Sequence, residues 1–109
     1  MKAFYDNQPS ELQQDNDGTF LFRWNIESFE NEDEQTMWIC DEIRCTGEPS
    51  KHHIKKCIIR EKYDETKEFS LVNKYNAHKE GIKIDVQAET DYLDYLQFTF
   101  DLDTILENL

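Results

Sequence analysis

Thr19-Phe20-Leu21-Phe22-Arg23-Trp24-Asn25-Ile26-Glu27 is the stretch that decides the fold. Phe20, Phe22, Trp24 and Ile26 recur at every second residue, with Thr19, Arg23, Asn25 and Glu27 mostly between them. Alternate side chains of an extended chain point to opposite faces, so the pattern predicts a strand with one apolar face buried. A polar loop follows, Glu30-Asn31-Glu32-Asp33-Glu34-Gln35, and then a second run from Met37 to Cys45. Met37, Ile39, Ile43 and Cys45 fall on one side of that run, interrupted by Asp41. Trp38, Cys40, Glu42 and Arg44 fall on the other. So short a connection needs no crossover, and the two runs are expected to close as an antiparallel hairpin.

Upstream, residues 1–17 read as a loose lead-in. Pro9-Ser10 and the polar run Gln13 to Gly18 end in a turn signal, with Leu12 in a short edge strand before it. Downstream, Thr46-Gly47-Glu48-Pro49 breaks the sheet and Ser50 stands where a helix N-cap belongs. Ile54, Cys57, Ile58 and Glu61 then share one helical face, with Lys51, Lys55 and Lys56 on the outside, although Ile58-Ile59 would also suit a strand. A further helix is signalled by Thr66 and Glu68 and by Phe69, Val72 and Tyr75, and Gly81 is placed to end it. The last segment carries two patterns. Ala88, Tyr92, Leu96 and Thr99 make a helical row, joined by Tyr95, Leu102, Leu106 and Leu109, while Leu96, Phe98, Phe100 and Leu102 alternate as a strand would. Its length favours helix from about Glu89, with a break near Asp101, where aspartates accumulate. The expected architecture is one small α+β domain over residues 1–109: an antiparallel β-hairpin or three-stranded meander followed by two to three helices.

Hydrophobic residues make up 38% of the chain, a modest core to which 14 aromatics add much area, so a folded domain is expected. No apolar run approaches the roughly 20 residues that span a bilayer, and no hydrophobic stretch follows Met1-Lys2 as a secretory leader requires. Three cysteines, Cys40, Cys45 and Cys57, cannot all pair within the chain, which favours reduced thiols and a cytoplasmic location. The net charge of −12 is segmented: −9 over residues 1–50, +4 over 51–83 and −7 over 84–109, where no base occurs. Such a surface disfavours direct nucleic-acid binding, which needs uncompensated basic charge. It suits either self-neutralising folding or a positively charged partner.

The residues offer little chemistry. His52, His53 and Cys57, with Cys45 and Cys40 nearby, are the best metal candidates. Cys40 and Cys45, however, point to opposite faces of a strand, and Cys57 lies on the apolar side of its helix. Cys57 with His53 or His78 as a nucleophilic pair has no third orienting group. Glu32-Asp33-Glu34 matches neither an EF-hand loop nor an acid–base pair, and the three glycines are isolated. No catalytic residue, metal or cofactor is therefore expected.

Gly18-Thr-Phe-Leu-Phe-Arg-Trp-Asn-Ile-Glu27, Cys40-Asp-Glu-Ile-Arg44 and Leu71-Val-Asn-Lys-Tyr-Asn-Ala77 appear in an order that resembles small uncharacterised proteins of bacterial prophages, found among tail and structural genes. In that family an Arg-Trp-(Asp/Asn)-Ile-Glu strand precedes a Cys-x-Glu strand, a Leu-Val-Asn-x-Tyr-Asn-Ala helix and a charged C-terminal helix. The last carries a Tyr-x-x-Tyr/Phe-Leu pattern, here Tyr92-Leu-Asp-Tyr95-Leu96. After Phe98 this chain is acidic where that family is Lys-rich. The absent active site, the segmented charge and the resemblance together point to a non-enzymatic protein-interaction module, an accessory or assembly factor bound to a phage structural or host protein. Trp38, on the strand face opposite Met37, Ile39 and Ile43, and Tyr92 and Tyr95 are its candidate contact residues. The alternative expectation is an acidic inhibitor that mimics nucleic acid against a basic host protein.

Overall fold

In the computed structural model, which describes residues 1–109, the chain runs through β1 (Lys2–Tyr5), β2 (Leu12–Gln14), β3 (Thr19–Glu30), β4 (Thr36–Thr46), α1 (Lys51–Lys62), α2 (Glu65–Lys79) and α3 (Val86–Ile105). The fold is α+β, with a four-stranded antiparallel sheet in the order β1-β4-β3-β2. The chain divides into two compact units, Met1–Ile54 and Lys55–Leu109, and the first turn of α1 belongs with the sheet.

In the first unit the expected hairpin forms the centre. Thr19 pairs with Thr46 and Glu30 with Thr36, and the Asn31 side chain organises the turn by accepting from the Asp33 and Gln35 amides at 3.0 and 2.9 Å. Phe20, Phe22, Ile43 and Cys45 lie on one face and are almost completely buried. Ile54 is fully buried, and His53 sets its ring edge-on to Phe20 at 6.0 Å. Burying a side chain of this size contributes about 1.5–3 kcal/mol each, so Phe20 and Phe22 anchor this face.

The expected alternation holds only as far as Trp24. Trp24 pairs with Asp41 and Glu27 with Ile39, so Asn25 and Ile26 together stand opposite Cys40 in a β-bulge. Asn25 takes the left-handed conformation, φ 52°, and its Nδ2 donates to Asp41 Oδ2 at 2.9 Å. Asparagine tolerates that backbone better than most residues. The bulge removes Ile26 from the row that holds Phe20, Phe22 and Trp24. Phe29 takes its place opposite Met37, and its ring meets Phe4 edge-on at 6.2 Å.

A further expectation is corrected. Residues 1–17 are not a loose lead-in, because β1 pairs with Trp38–Asp41 and β2 with Phe20–Phe22. Leu12 does sit in a short edge strand, as its position suggested. A strand of four residues shows no readable period, and β1's partner is remote in sequence, which is why it was not evident. Arg23 lies on the other face of β3. It does not face water but is 3% exposed, on the face opposite Phe22. Its Nε donates to Glu42 Oε2 at 2.7 Å and to the Tyr5 hydroxyl at 3.2 Å. One Nη donates to the Ser10 carbonyl at 3.0 Å and the other to Gln13 Oε1 at 2.8 Å. The Tyr5 hydroxyl donates in turn to Glu42, and the guanidinium lies 4.7 Å from the Tyr5 ring centroid. Burial pushes the Glu42 carboxyl up, but the bonds from Tyr5 and Arg23 outweigh it and hold the group below its ordinary value.

The second unit contains the rest of α1 together with α2 and α3. Each helix starts on a side-chain cap: Ser50 Oγ accepts from the His53 amide at 3.1 Å, Asp64 from Lys67 at 2.8 Å and Asp85 from Ala88 at 3.3 Å. Gly81, at φ 74°, ends α2 as its position suggested, with Ile82 donating back to the Ala77 carbonyl at 2.9 Å. α3 begins at Val86 rather than Glu89 and runs unbroken through Asp101 to Ile105. Its aspartates are outside the buried side formed by Ala88, Leu102 and Leu106, so helix continuity does not require their burial. Phe69, expected to share an apolar row with Val72 and Tyr75, is 72% exposed.

Replacing Arg23 with Leu strands the Glu42 carboxylate and is expected to lower the unfolding free energy by about 3 kcal/mol in urea denaturation at neutral pH. The double variant Arg23→Leu/Glu42→Leu should regain part of that loss; a strictly additive loss would show that the pair is not coupled. Because Glu42 is depressed in the folded state, its contribution is present above about pH 4.3 and disappears as the pH falls through its folded value. Wild type should therefore lose stability in acid more steeply than Glu42→Gln.

Candidate interaction surface

Packing between α2 and α3 determines which side of α3 is available. Tyr92 stacks on Tyr75 with centroids 4.0 Å apart and planes 7° from parallel. Tyr95 meets Tyr63 edge-on at 5.2 Å, and Tyr63 touches Phe98 at 5.9 Å. Glu68 lies among these rings, accepting from the Tyr95 hydroxyl at 2.5 Å and from Arg60 at 3.1 Å. The Tyr95 bond, and after it the Arg60 bond, holds the Glu68 carboxyl low. Tyr95 itself is pushed up to about 12, first by burial and then by its bond to Glu68.

The same packing turns a different set of residues outward. Val86, Leu93 and Phe100 are 70%, 55% and 64% exposed. They are seven residues apart, close to two turns of a helix with about 3.6 residues per turn, so they stack in one row about 21 Å long. Glu89 and Asp103 border the row on one side; Asp94 and Asp101 border it on the other, beyond Thr90 and Gln97. Ile82 and Ile84, in the turn just before α3, are 82% and 70% exposed. A single exposed Leu is ordinary on a protein surface, whereas an ordered row of large apolar side chains marks a place where another surface can sit.

Trp38 lies in the first unit, half-buried and in register with Tyr5 and Ser28. Tyr92 and Tyr95 lie together in the second unit, 6.4 Å apart, half-buried and engaged with Tyr75, Tyr63 and Glu68. The row of Val86, Leu93 and Phe100 escaped the sequence reading because attention to spacings of three and four selected the Ala88–Tyr92–Leu96 side. The signal was present as an apolar residue at every seventh position.

An open cleft of about 610 Å³ also lies in the second unit, with Lys62, Lys67 and Lys74 on one wall and Asp91 and Asp94 on the other. Its aliphatic hydroxyls, Thr66 and Ser70, share the lining with neither His nor Cys. Burial pushes the Cys40 thiol up, away from the reactive thiolate. His53 Nε2 is 2.6 Å from the Thr46 carbonyl. The structure gathers no group of three or more His, Cys, Asp or Glu side chains able to hold a metal ion. No helix is long and apolar enough to cross a membrane.

Comparison of the chain with protein-family models, curated proteins and solved structures finds no significant match.

A phenol whose folded value is raised contributes stability that is complete below about pH 10 and is lost as pH climbs through the folded value. Tyr5 and Tyr63 are raised as well, so spectroscopic titration should show late tyrosine ionisation, and Glu68→Gln should bring the Tyr95 step to lower pH. An unchanged late step would remove Glu68 as its partner. Tyr95→Phe, at a half-buried bond to a charged group, is expected to lower stability by about 1 kcal/mol.

Proposed function

We propose that this chain is a non-enzymatic protein-interaction module, an accessory or assembly factor associated with a bacteriophage, which meets its partner through the outer row of α3. The observation that carries the reading is that row: Val86, Leu93 and Phe100 stay in water while the tyrosines of the same helix are engaged within the fold. Core positions of protein interfaces are enriched in aromatic and apolar side chains and depleted of charge, which matches a Leu and a Phe set between acidic borders. The order of motifs along the chain, with its resemblance to prophage proteins, supports a partner among phage structural or host proteins.

An acidic mimic of nucleic acid would present regularly spaced carboxylates on one surface. On α3 the carboxylates border an apolar row, and Asp103 is held by Lys55 at 2.7 Å. That arrangement favours the interaction module.

A photo-crosslinking residue placed at Leu93 tests the reading in cells expressing the chain together with its candidate virion and tail proteins. Placement at Glu34, in the exposed hairpin turn, serves as the comparison. The expected result is one defined adduct from position 93 and none from 34. Equal yields from both positions, or no adduct with any virion, tail or host protein, would remove the row as the contact surface.

A further inference from the structure

The sign of the charge around the α3 row specifies what occupies it. Resting on the interaction-module reading, we propose that the row receives an amphipathic helix of a partner protein, apolar along one side and lysine- or arginine-rich along the borders of that side. Three apolar residues, one per heptad over about 21 Å, provide a narrow row against which the apolar side of a second helix of similar length can lie. The borders then decide which helix it is. Glu89, Asp94, Asp101 and Asp103 flank the seam, and residues 84–109 contain seven acids and no base. A helix with basic flanks gains attraction along both borders and is steered to the seam at encounter. One with acidic flanks meets like charge along its whole length.

The same charge disfavours the simplest alternative occupant. Two copies of α3 face to face would set five acids against five acids without a base on either helix. Within each copy Lys55 offsets Asp103, His78 lies 3.5 Å from Glu89 and the cleft lysines face Asp94, which reduces the repulsion, but no base lies on α3 itself to meet the other copy's acids. The cytoplasmic face of a membrane, itself anionic, is disfavoured for the same reason. Within the partner's contact, Leu93 sits at the centre of the row and Phe100 supplies the largest apolar area, so these two side chains carry most of the affinity. The carboxylates set partner choice and the salt dependence.

Two synthetic helical peptides test this with the full chain. Both carry Leu at the seam positions over about three heptads; one has Lys at the flanking positions and the other Glu. Fluorescence anisotropy at low salt should show the Lys peptide binding at least about tenfold more tightly than the Glu peptide, with the gap closing as salt is added. Leu93→Ser/Phe100→Ser should weaken the Lys peptide about tenfold or more while far-ultraviolet circular dichroism stays unchanged. The charge reversal Asp94→Lys/Asp101→Lys should shift preference towards the Glu peptide. Failure of the Lys peptide to bind, equal binding of both peptides, or binding indifferent to Leu93→Ser/Phe100→Ser would each overturn the proposal. So would a concentration-dependent dimer abolished by that double substitution, which would assign the row to a second copy. An adduct formed at position 93 when the peptides fail would retire only the basic helix and leave the interaction surface standing. Loss of both results would retire the surface itself.

Discussion

The Arg23 guanidinium is the group on which the sheet unit depends. A buried guanidinium needs every donor satisfied, and no single neighbour can do that. Its acceptors come from separate parts of the chain: Glu42 on β4, the Tyr5 hydroxyl on β1, the Ser10 carbonyl in the connection, and Gln13 on β2. Arg23 ties the two short edge strands to the central hairpin, because each edge carries a partner the charge requires. The sheet is thus a two-sided structure: one side is held by apolar burial around Phe20 and Phe22, and the other by a charge on β3 whose partners lie on the three other strands and the β1–β2 connection.

A comparable division of labour runs along α3. Its inward side is specified by shape and by one hydrogen bond, through the Tyr75–Tyr92 stack and the Tyr95–Glu68 contact. Its outward side has no such role inside the fold. A helix whose orientation is already settled by aromatic contacts can keep three large apolar residues in water without losing its position. The functional reading therefore rests on the separation of the two sides.

How much of this could be read from sequence varies with the distance over which the information acts. The hairpin was legible because Phe20, Phe22 and Trp24 state their period locally and the polar turn around Asn31 announces the reversal. Ser50 and Gly81 were legible as helix boundaries for the same reason, each acting within a few residues of itself. β1 was not, since four residues carry no period and their partner strand lies beyond the hairpin turn. The buried position of Arg23 was hidden in the same way: an arginine between aromatics alternates like any solvent-facing residue, and only the arrival of Tyr5, Gln13 and Glu42 makes its burial tolerable. The Asn25 bulge left a faint signal in the residue type, one of the few able to take a left-handed backbone, but nothing in the spacing. On α3 the outward row was plainly written at every seventh residue, and the competing inward row on the same helix obscured it.

The sheet has a further property that follows from strand length. β3 and β4 are 12 and 11 residues long, whereas the strands beside them have three and four. The far half of β3 consequently leaves a backbone edge without a neighbouring strand, and such an edge can template the addition of foreign chain and the growth of fibrils. Along that half the chain places Glu27 and Glu30, both exposed, and the turn beyond adds Glu32, Asp33 and Glu34. The bulge at Asn25 and Ile26 also bends the strand where the open edge begins. Negative charge at the hairpin tip thus acts as a gatekeeper, keeping an unfinished edge from recruiting its own kind.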